Sequence, residues 1–173
     1  MLRFQVFFRE GEFETEAHPC FLLTVFLFYL CKKTHMYPAP LVMPMKGELT
    51  AVGFEDLTTP NQVDAVLGAK EGTVLVVVNS VCGCAAGAAR PGVKLALEGS
   101  THRPTRLATV FAGFDTEAVA QARKYFAPYP PSSPCMALFK DGQLVHFIER
   151  HHIEGRTAQQ IADNLKLAFE ELC

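Results

Sequence analysis

The chain has 173 residues, 49% hydrophobic and 20% charged, with a formal net charge of −2; this is the composition of one globular domain, which at this size buries roughly two thirds of its unfolded surface. Its 18 acidic residues outnumber 16 basic ones, so no basic excess points to a nucleic-acid partner. The six cysteines, Cys20, Cys31, Cys82, Cys84, Cys135 and Cys173, are too sparse and irregular for a secreted disulfide framework, which predicts a reducing compartment, the cytoplasm, and disulfides that are transient and catalytic.

Residues 1–35 differ abruptly in composition from the rest of the chain. Arg9 to Glu16 is polar and acid-rich, and Cys20 to Cys31 is an apolar run of twelve residues, short of the roughly 20 needed for a membrane-crossing helix. Four glutamates precede that run and Lys32-Lys33 follows it, the wrong order of charge for an export signal. Residues 1–35 are therefore read as an atypical N-terminal extension that need not be native, with Met36 opening the domain proper, 36–173. No membrane is expected as a partner.

Within 36–173, Pro38, Pro40 and Pro44 break an apolar stretch, and Pro44 is placed at the first position of a short helix. Thr59-Pro60-Asn61-Gln62 carries a capping box that opens a helix to about Ala69. Thr73 to Asn79 is a continuous apolar run, the pattern of a central strand buried on both faces. Cys82-Gly83-Cys84 comes next, then a helix from about Cys84 to Glu98 that Pro91 should kink. Arg106 to Ala112 alternates as a second strand, and Asp115 is expected to cap a third helix to about Phe126. After a proline-rich loop, Cys135 to Lys140 and Gln143 to Glu149 form a hairpin about Asp141-Gly142. Thr157 with Gln160 opens the last helix, with Ile161, Leu165, Ala168 and Phe169 on its apolar stripe. Strands alternating with helices and closed by a hairpin predict an α/β three-layer sandwich around a mixed central sheet, the thioredoxin plan.

Cys82-Gly83-Cys84 is the feature with chemistry. A thiol at the first turn of a helix faces unpaired backbone N–H groups, which favour the thiolate and make a nucleophile near neutral pH; Cys82 is the better placed of the pair. A disulfide across a single intervening residue would be strained, which raises its reduction potential and makes it fleeting. The bland alternative is a pair of buried, inert cysteines. A third is metal binding with help from His146, His151 and His152, although there is no Cys-x-x-Cys pair or spaced histidine set. The expectation is no metal, with His151 and His152 packing or capping between the last strand and the last helix.

Ser133-Pro134-Cys135 through Asp141-Gly142 resembles the thioredoxin segment in which a cis-proline precedes a strand and turn. More specifically, Met36-Tyr37-Pro38-Ala39-Pro40-Leu41-Val42, Asn79-Ser80-Val81-Cys82-Gly83-Cys84-Ala85-Ala86-Gly87, Ala89-Arg90-Pro91, Pro130-Pro131-Ser132-Ser133-Pro134 and Glu149-Arg150-His151-His152-Ile153-Glu154-Gly155-Arg156 are similar to the bacilliredoxins. The resemblance covers residues 36–173. It implies a cytoplasmic thiol-disulfide oxidoreductase that removes bacillithiol from bacillithiolated client proteins, Cys82 attacking the mixed disulfide and Cys84 resolving it. Bacillithiol is then a co-substrate rather than a tightly bound cofactor, and a bacillithiol disulfide reductase system is the implied partner.

On the same resemblance Ser132, Ser133 and Pro134 form the opposite wall of the site; Asn79 and Ser80, read as shaping its loop, are counted with Ser133 and Pro134 as substrate-binding residues. Arg90 and Arg156 are candidates to pair with the carboxylates of bacillithiol, against the equal alternative that they hold helix ends. Two departures stand out: residues 1–35 have no counterpart, and Cys135 occupies a position where serine is expected, read as a small buried residue in preference to a spare resolving thiol. The competing functions are a general protein disulfide reductase or isomerase and, from another class, a thiolate metal carrier.

Overall fold

The computed structural model describes residues 36–173; the apolar run Cys20 to Cys31 and the extension containing it lie outside the described residues. The elements in chain order are α1 (Ala39–Thr50), β1 (Glu55–Asp56), α2 (Pro60–Leu67), β2 (Thr73–Asn79), a π-helical turn (Ala85–Ala89) running into α3 (Arg90–Glu98), β3 (Arg106–Phe111), α4 (Thr116–Tyr125), β4 (Cys135–Lys140), β5 (Gln143–Ile148), α5 (Arg150–Ile153) and α6 (Ala158–Leu172). Among the described residues no helix is long and apolar enough to cross a membrane.

The strands form one mixed sheet in the order β1-β3-β2-β4-β5. β2 lies at its centre, parallel to β3 and antiparallel to β4. All seven of its residues are buried, and their alternation explains why the apolar run is unbroken. Leu75 and Val77 enter a core with α3 and α6, through Val93, Ala96, Ile161 and Leu165. Val74, Val76 and Val78 enter a second core with α2 and α4, through Val63, Val66, Ala118 and Ala122. The result is the expected α/β thioredoxin-like three-layer sandwich.

The local punctuation behaves as the sequence requires. Thr59 and Thr157 each accept the backbone N–H three residues on, Gln62 and Gln160 return the bond, and both capping boxes are complete. Asp141 and Gly142 take φ of 50° and 79°, the left-handed pair that turns the hairpin. Ile161, Leu165, Ala168 and Phe169 are buried on one face of α6. Gly92 lets α3 approach that face: a Cβ there would stand 2.7 Å from Ile161 Cβ and 2.9 Å from the Ala158 carbonyl.

Four expectations are corrected. The first helix opens at Ala39 rather than Pro44, because Pro38 at the N-cap and Pro40 in the first turn lie where an amide has no helical acceptor in any case; Pro44 is interior. The helix after the motif is not sharply broken at Pro91. Its first turn is π-helical, with Arg90 N–H donating five residues back to the Ala85 carbonyl, and this wider turn lets the ring-bearing Pro91 enter α3. Asp115 stands at the N-cap of α4 but makes no side-chain cap; its carboxylate turns inward to Lys46 Nζ at 2.6 Å and accepts the Phe111 N–H at 3.3 Å. The segment after β5 is not all loop: α5 is a short helix in which His152 Nδ1 accepts the Glu149 N–H at 3.3 Å, the capping role expected for that histidine pair.

Candidate active site

The end of β2 delivers the chemistry. Past Asn79 the strand has no partner to continue with, and Ser80 and Val81 lead to Cys82, whose carbonyl accepts the N–H groups of Ala85 and Ala86 at 3.1 and 3.2 Å and so starts the helical path. Cys82 Sγ accepts hydrogen bonds from Ser80 Oγ at 3.2 Å and from the Ala85 N–H at 3.4 Å. Burial pushes the Cys82 thiol up, but hydrogen bonds from Cys84, Ser80 and the Ala85 N–H outweigh it, so the net shift is below the ordinary thiol value. The Cys84 thiol goes the other way, raised by burial and then by the neighbouring Cys82 sulfur, with Arg150 opposing. The two sulfurs of the motif are thus a ready nucleophile and a reluctant one.

Cys84 packs against the core between the sheet and α3 and α6, whereas Cys82 opens onto a hollow of about 350 Å³. Ser80, Ser133, Gly113, Tyr37, Arg123 and Arg150 share that hollow with it. Ser133 lines the same hollow as Cys82, and Pro134 is not among its lining residues. The Ser133–Pro134 bond is cis and Pro134 is buried. Ala127–Pro128, unanticipated from sequence, is also cis.

Asn79 and Ser80 are the buried frame of the motif loop. Asn79 Oδ1 accepts the Ser80 N–H at 2.8 Å, and Asn79 Nδ2 donates to the Met45 carbonyl of α1 at 3.1 Å. Arg90 belongs to this frame. It is buried, and its Nη1 donates to Asn79 Oδ1 and to the Ser80 carbonyl, while Nε pairs with Glu48 at 2.9 Å. Buried and with Nε and Nη1 engaged inside the protein, Arg90 holds the motif loop, which favours the structural alternative over contact with a substrate carboxylate. Arg156 is also elsewhere: it lines a separate hollow of about 640 Å³ with His146, His151 and His152, not the one that contains Cys82.

Sequence reasoning missed Arg123 and Arg150 as site residues. Arg150 lay within a motif that was noticed, directly after the β5 pattern, but its direction depends on α5, which the sequence did not announce. Its Nη1 donates to the Ser133 carbonyl at 3.3 Å, and Nε pairs with Glu154 at 2.7 Å. Arg123 carried no local signal, because one basic residue in the last turn of a helix reads as an ordinary dipole partner.

Cys135 is buried, and its burial raises the thiol to about 12. It is thus an unreactive apolar residue at neutral pH, as read from the sequence. Among the described residues the grouping with metal-ligand spacing is Glu149, His151 and His152, whose ligand atoms lie within 4.8 Å of one another. It contains neither motif cysteine, and His152 Nδ1 is already engaged in the α5 cap.

The chain is similar in sequence to known proteins. A family described as disulphide isomerase matches residues 37–173. The chain is 61% identical over 137 residues to a bacilliredoxin of Cytophaga hutchinsonii, covering 79% of this chain and 100% of that protein. It is 52% identical over 137 residues to a bacilliredoxin of Bacillus cereus, covering 79% and 95% of the two chains. Among solved structures it is similar to oxidised mitochondrial thioredoxin 3 of Saccharomyces cerevisiae, at 16% identity and a TM-score of 0.49, over 72% of this chain and 99% of that one. With a nucleophilic thiol at the mouth of a helix and the family match spanning nearly the whole described domain, the chain belongs to the bacilliredoxin family and is a thiol-disulfide oxidoreductase.

Proposed function

We propose that this protein removes bacillithiol from bacillithiolated client proteins. The observation that carries the reading is the Cys82 sulfur, held as a thiolate acceptor by Ser80 Oγ and the Ala85 N–H and open to the hollow. The Cys82 thiolate attacks the bacillithiol sulfur of the mixed disulfide; the client sulfur leaves as a thiolate, and bacillithiol is carried on Cys82 as a new mixed disulfide. Cys84, once deprotonated, attacks the Cys82 sulfur and releases bacillithiol, leaving a Cys82–Cys84 disulfide that takes two electrons from a bacillithiol disulfide reductase system. A second bacillithiol can instead attack the same mixed disulfide, forming bacillithiol disulfide and returning Cys82 as the thiolate. The cytoplasm, where such clients and reductants coexist, is the compartment of this reading.

Intact-mass analysis of the protein mixed with a bacillithiolated client tests it. The expected outcome is release of free client by wild-type protein, which then carries either one bacillithiol or, after resolution, a motif disulfide lighter by two hydrogens; Cys84→Ser holds one bacillithiol, and Cys82→Ser neither takes bacillithiol nor frees the client. Transfer to Cys82→Ser, or no release of client by wild type together with no adduct on Cys84→Ser, overturns the reading. Normal turnover by Cys84→Ser with bacillithiol as reductant removes the resolving step and leaves the single-thiol route.

The description of the matching family as disulphide isomerase favours a second reading, in which the strained motif disulfide exchanges with disulfides of misfolded proteins. Refolding of a scrambled disulfide protein at a rate exceeding debacillithiolation supports that reading over the first.

A further inference from the structure

The hollow beside Cys82 is lined by two cations, Arg123 and Arg150, and by no carboxylate. Arg123 makes no ion pair among the described residues, and its Nε is buried without a hydrogen-bond partner. Arg150 enters the same hollow from α5, tethered to the Ser133 carbonyl. The two arginines come from helices far apart in sequence, α4 and α5, and both reach the space that a disulfide partner of Cys82 must enter.

We infer that Arg123 and Arg150 select the small thiol that exchanges at Cys82, admitting carboxylate-bearing thiols and disfavouring neutral and cationic ones. The assignment rests on the thiol-exchange reading of Cys82 and adds its specificity. Arginine suits the role because its planar fork takes a carboxylate through two parallel hydrogen bonds. The two positions act differently on the motif itself. Arg150 interacts electrostatically with both Cys84 and Cys82, so part of its effect falls on the thiols. Arg123 acts instead on the buried Cys135 and lines the hollow without an ion pair among the described residues.

The bond changes are those of ordinary exchange. The Cys82 thiolate attacks a symmetric disulfide, one thiolate leaves, and a mixed disulfide forms on Cys82 with no net change in oxidation state. The test uses the full chain and three symmetric disulfides, those of mercaptosuccinate (anionic), 2-mercaptoethanol (neutral) and cysteamine (cationic). Each rate is divided by the rate of the same disulfide with a small uncharged thiol, which removes intrinsic reactivity. Wild-type protein is expected to prefer the mercaptosuccinate disulfide, less so at high salt.

Arg123→Gln is expected to lower the ratio of the mercaptosuccinate rate to the 2-mercaptoethanol rate roughly threefold to tenfold. Arg150→Gln lowers the same preference and shifts the pH profile of Cys82 alkylation as well. Arg123→Lys, which keeps the charge and loses the fork, retains part of the preference and serves if the glutamine variant does not fold. No charge preference in wild type, or a preference untouched by Arg123→Lys and Arg150→Gln, overturns the inference. Loss of exchange with all three disulfides in wild type instead overturns the thiol-exchange reading beneath it.

Discussion

Arg90 Nη1 donates at 3.1 Å both to Asn79 Oδ1 and to the Ser80 carbonyl, so one buried guanidinium fixes the two residues that end β2 and aim the motif. The grip is doubled by Glu48 of α1, which takes Arg90 Nε, and by Asn79 itself, whose amide reaches Met45. Three elements distant in sequence thereby meet under one loop. Ser80 is the only member of this set that also touches the reactive sulfur.

Replacing Arg90 with Met is expected to destabilise the protein by about 2–4 kcal/mol, because it removes charge-assisted bonds and leaves the Ser80 carbonyl short of a donor in a buried place. Arg90→Lys keeps a charge but not the fork, and its cost is smaller. Urea denaturation of the reduced protein measures both. Alkylation of Cys82 at neutral pH should slow in parallel, since a loosened Ser80 no longer donates to the sulfur.

Ser80→Ala tests that last bond directly. The Cys82 thiol lies below its ordinary value because donated hydrogen bonds outweigh burial, so losing one donor moves its titration upward. Iodoacetamide reactivity at pH 7 is expected to fall roughly fivefold for one lost hydrogen bond to a charged acceptor, with the same plateau at high pH. Stability shifts with pH in a fixed direction: a thiol depressed by folding stabilises the reduced protein above the ordinary thiol value, and that contribution is lost as pH falls through Cys82's own lower value. An unchanged reactivity profile would show that the Ser80 hydroxyl does not reach the thiolate in solution.

Lys46 and Asp115 make a second buried pair, at 2.6 Å, with Asp56 also on Lys46 at 2.9 Å. Burial pushes the Asp115 carboxyl up while Lys46 pulls it down, and the net shift is upward. Lys46→Met leaves that carboxylate without its cation and is expected to cost about 3–5 kcal/mol at neutral pH. A carboxyl raised by folding contributes stability below its unfolded value and loses it as pH rises through the folded one. The Lys46→Met penalty should therefore shrink on acidification, as Asp115 takes up a proton. Denaturation of both proteins at pH 5 and pH 7.5 reads the difference, and an equal penalty at both values would contradict it.

Residues close in sequence announced themselves. The apolar run of β2, the two capping boxes, the Asp141-Gly142 turn and the motif behind a buried strand are local patterns, set by side-chain periodicity, orphan helix amides and positive φ. They sufficed for the thioredoxin-like plan and for placing the two motif thiols between β2 and the helix that follows. The errors fell where a local rule met a distant partner. Asp115 has the chemistry of a cap but found Lys46, 69 positions back in the chain, and Pro91 did not break its helix because the preceding turn widened.

The arginines show the same division most clearly. By itself the sequence determined that a pair of thiols follows β2 at the mouth of a helix, because strand, loop and helix are contiguous there. Which cations share a hollow with Cys82 was decided only in three dimensions. Arg90, nearest in sequence, is turned inward by Glu48, 42 residues away, and Arg156 is carried into another hollow by the turn after α5. Arg123 and Arg150 line the hollow that holds Cys82 because α4 and α5 pack where they do. A long side chain's direction is fixed by the contacts at its tip, and those contacts are made by residues that the order of the chain does not place together.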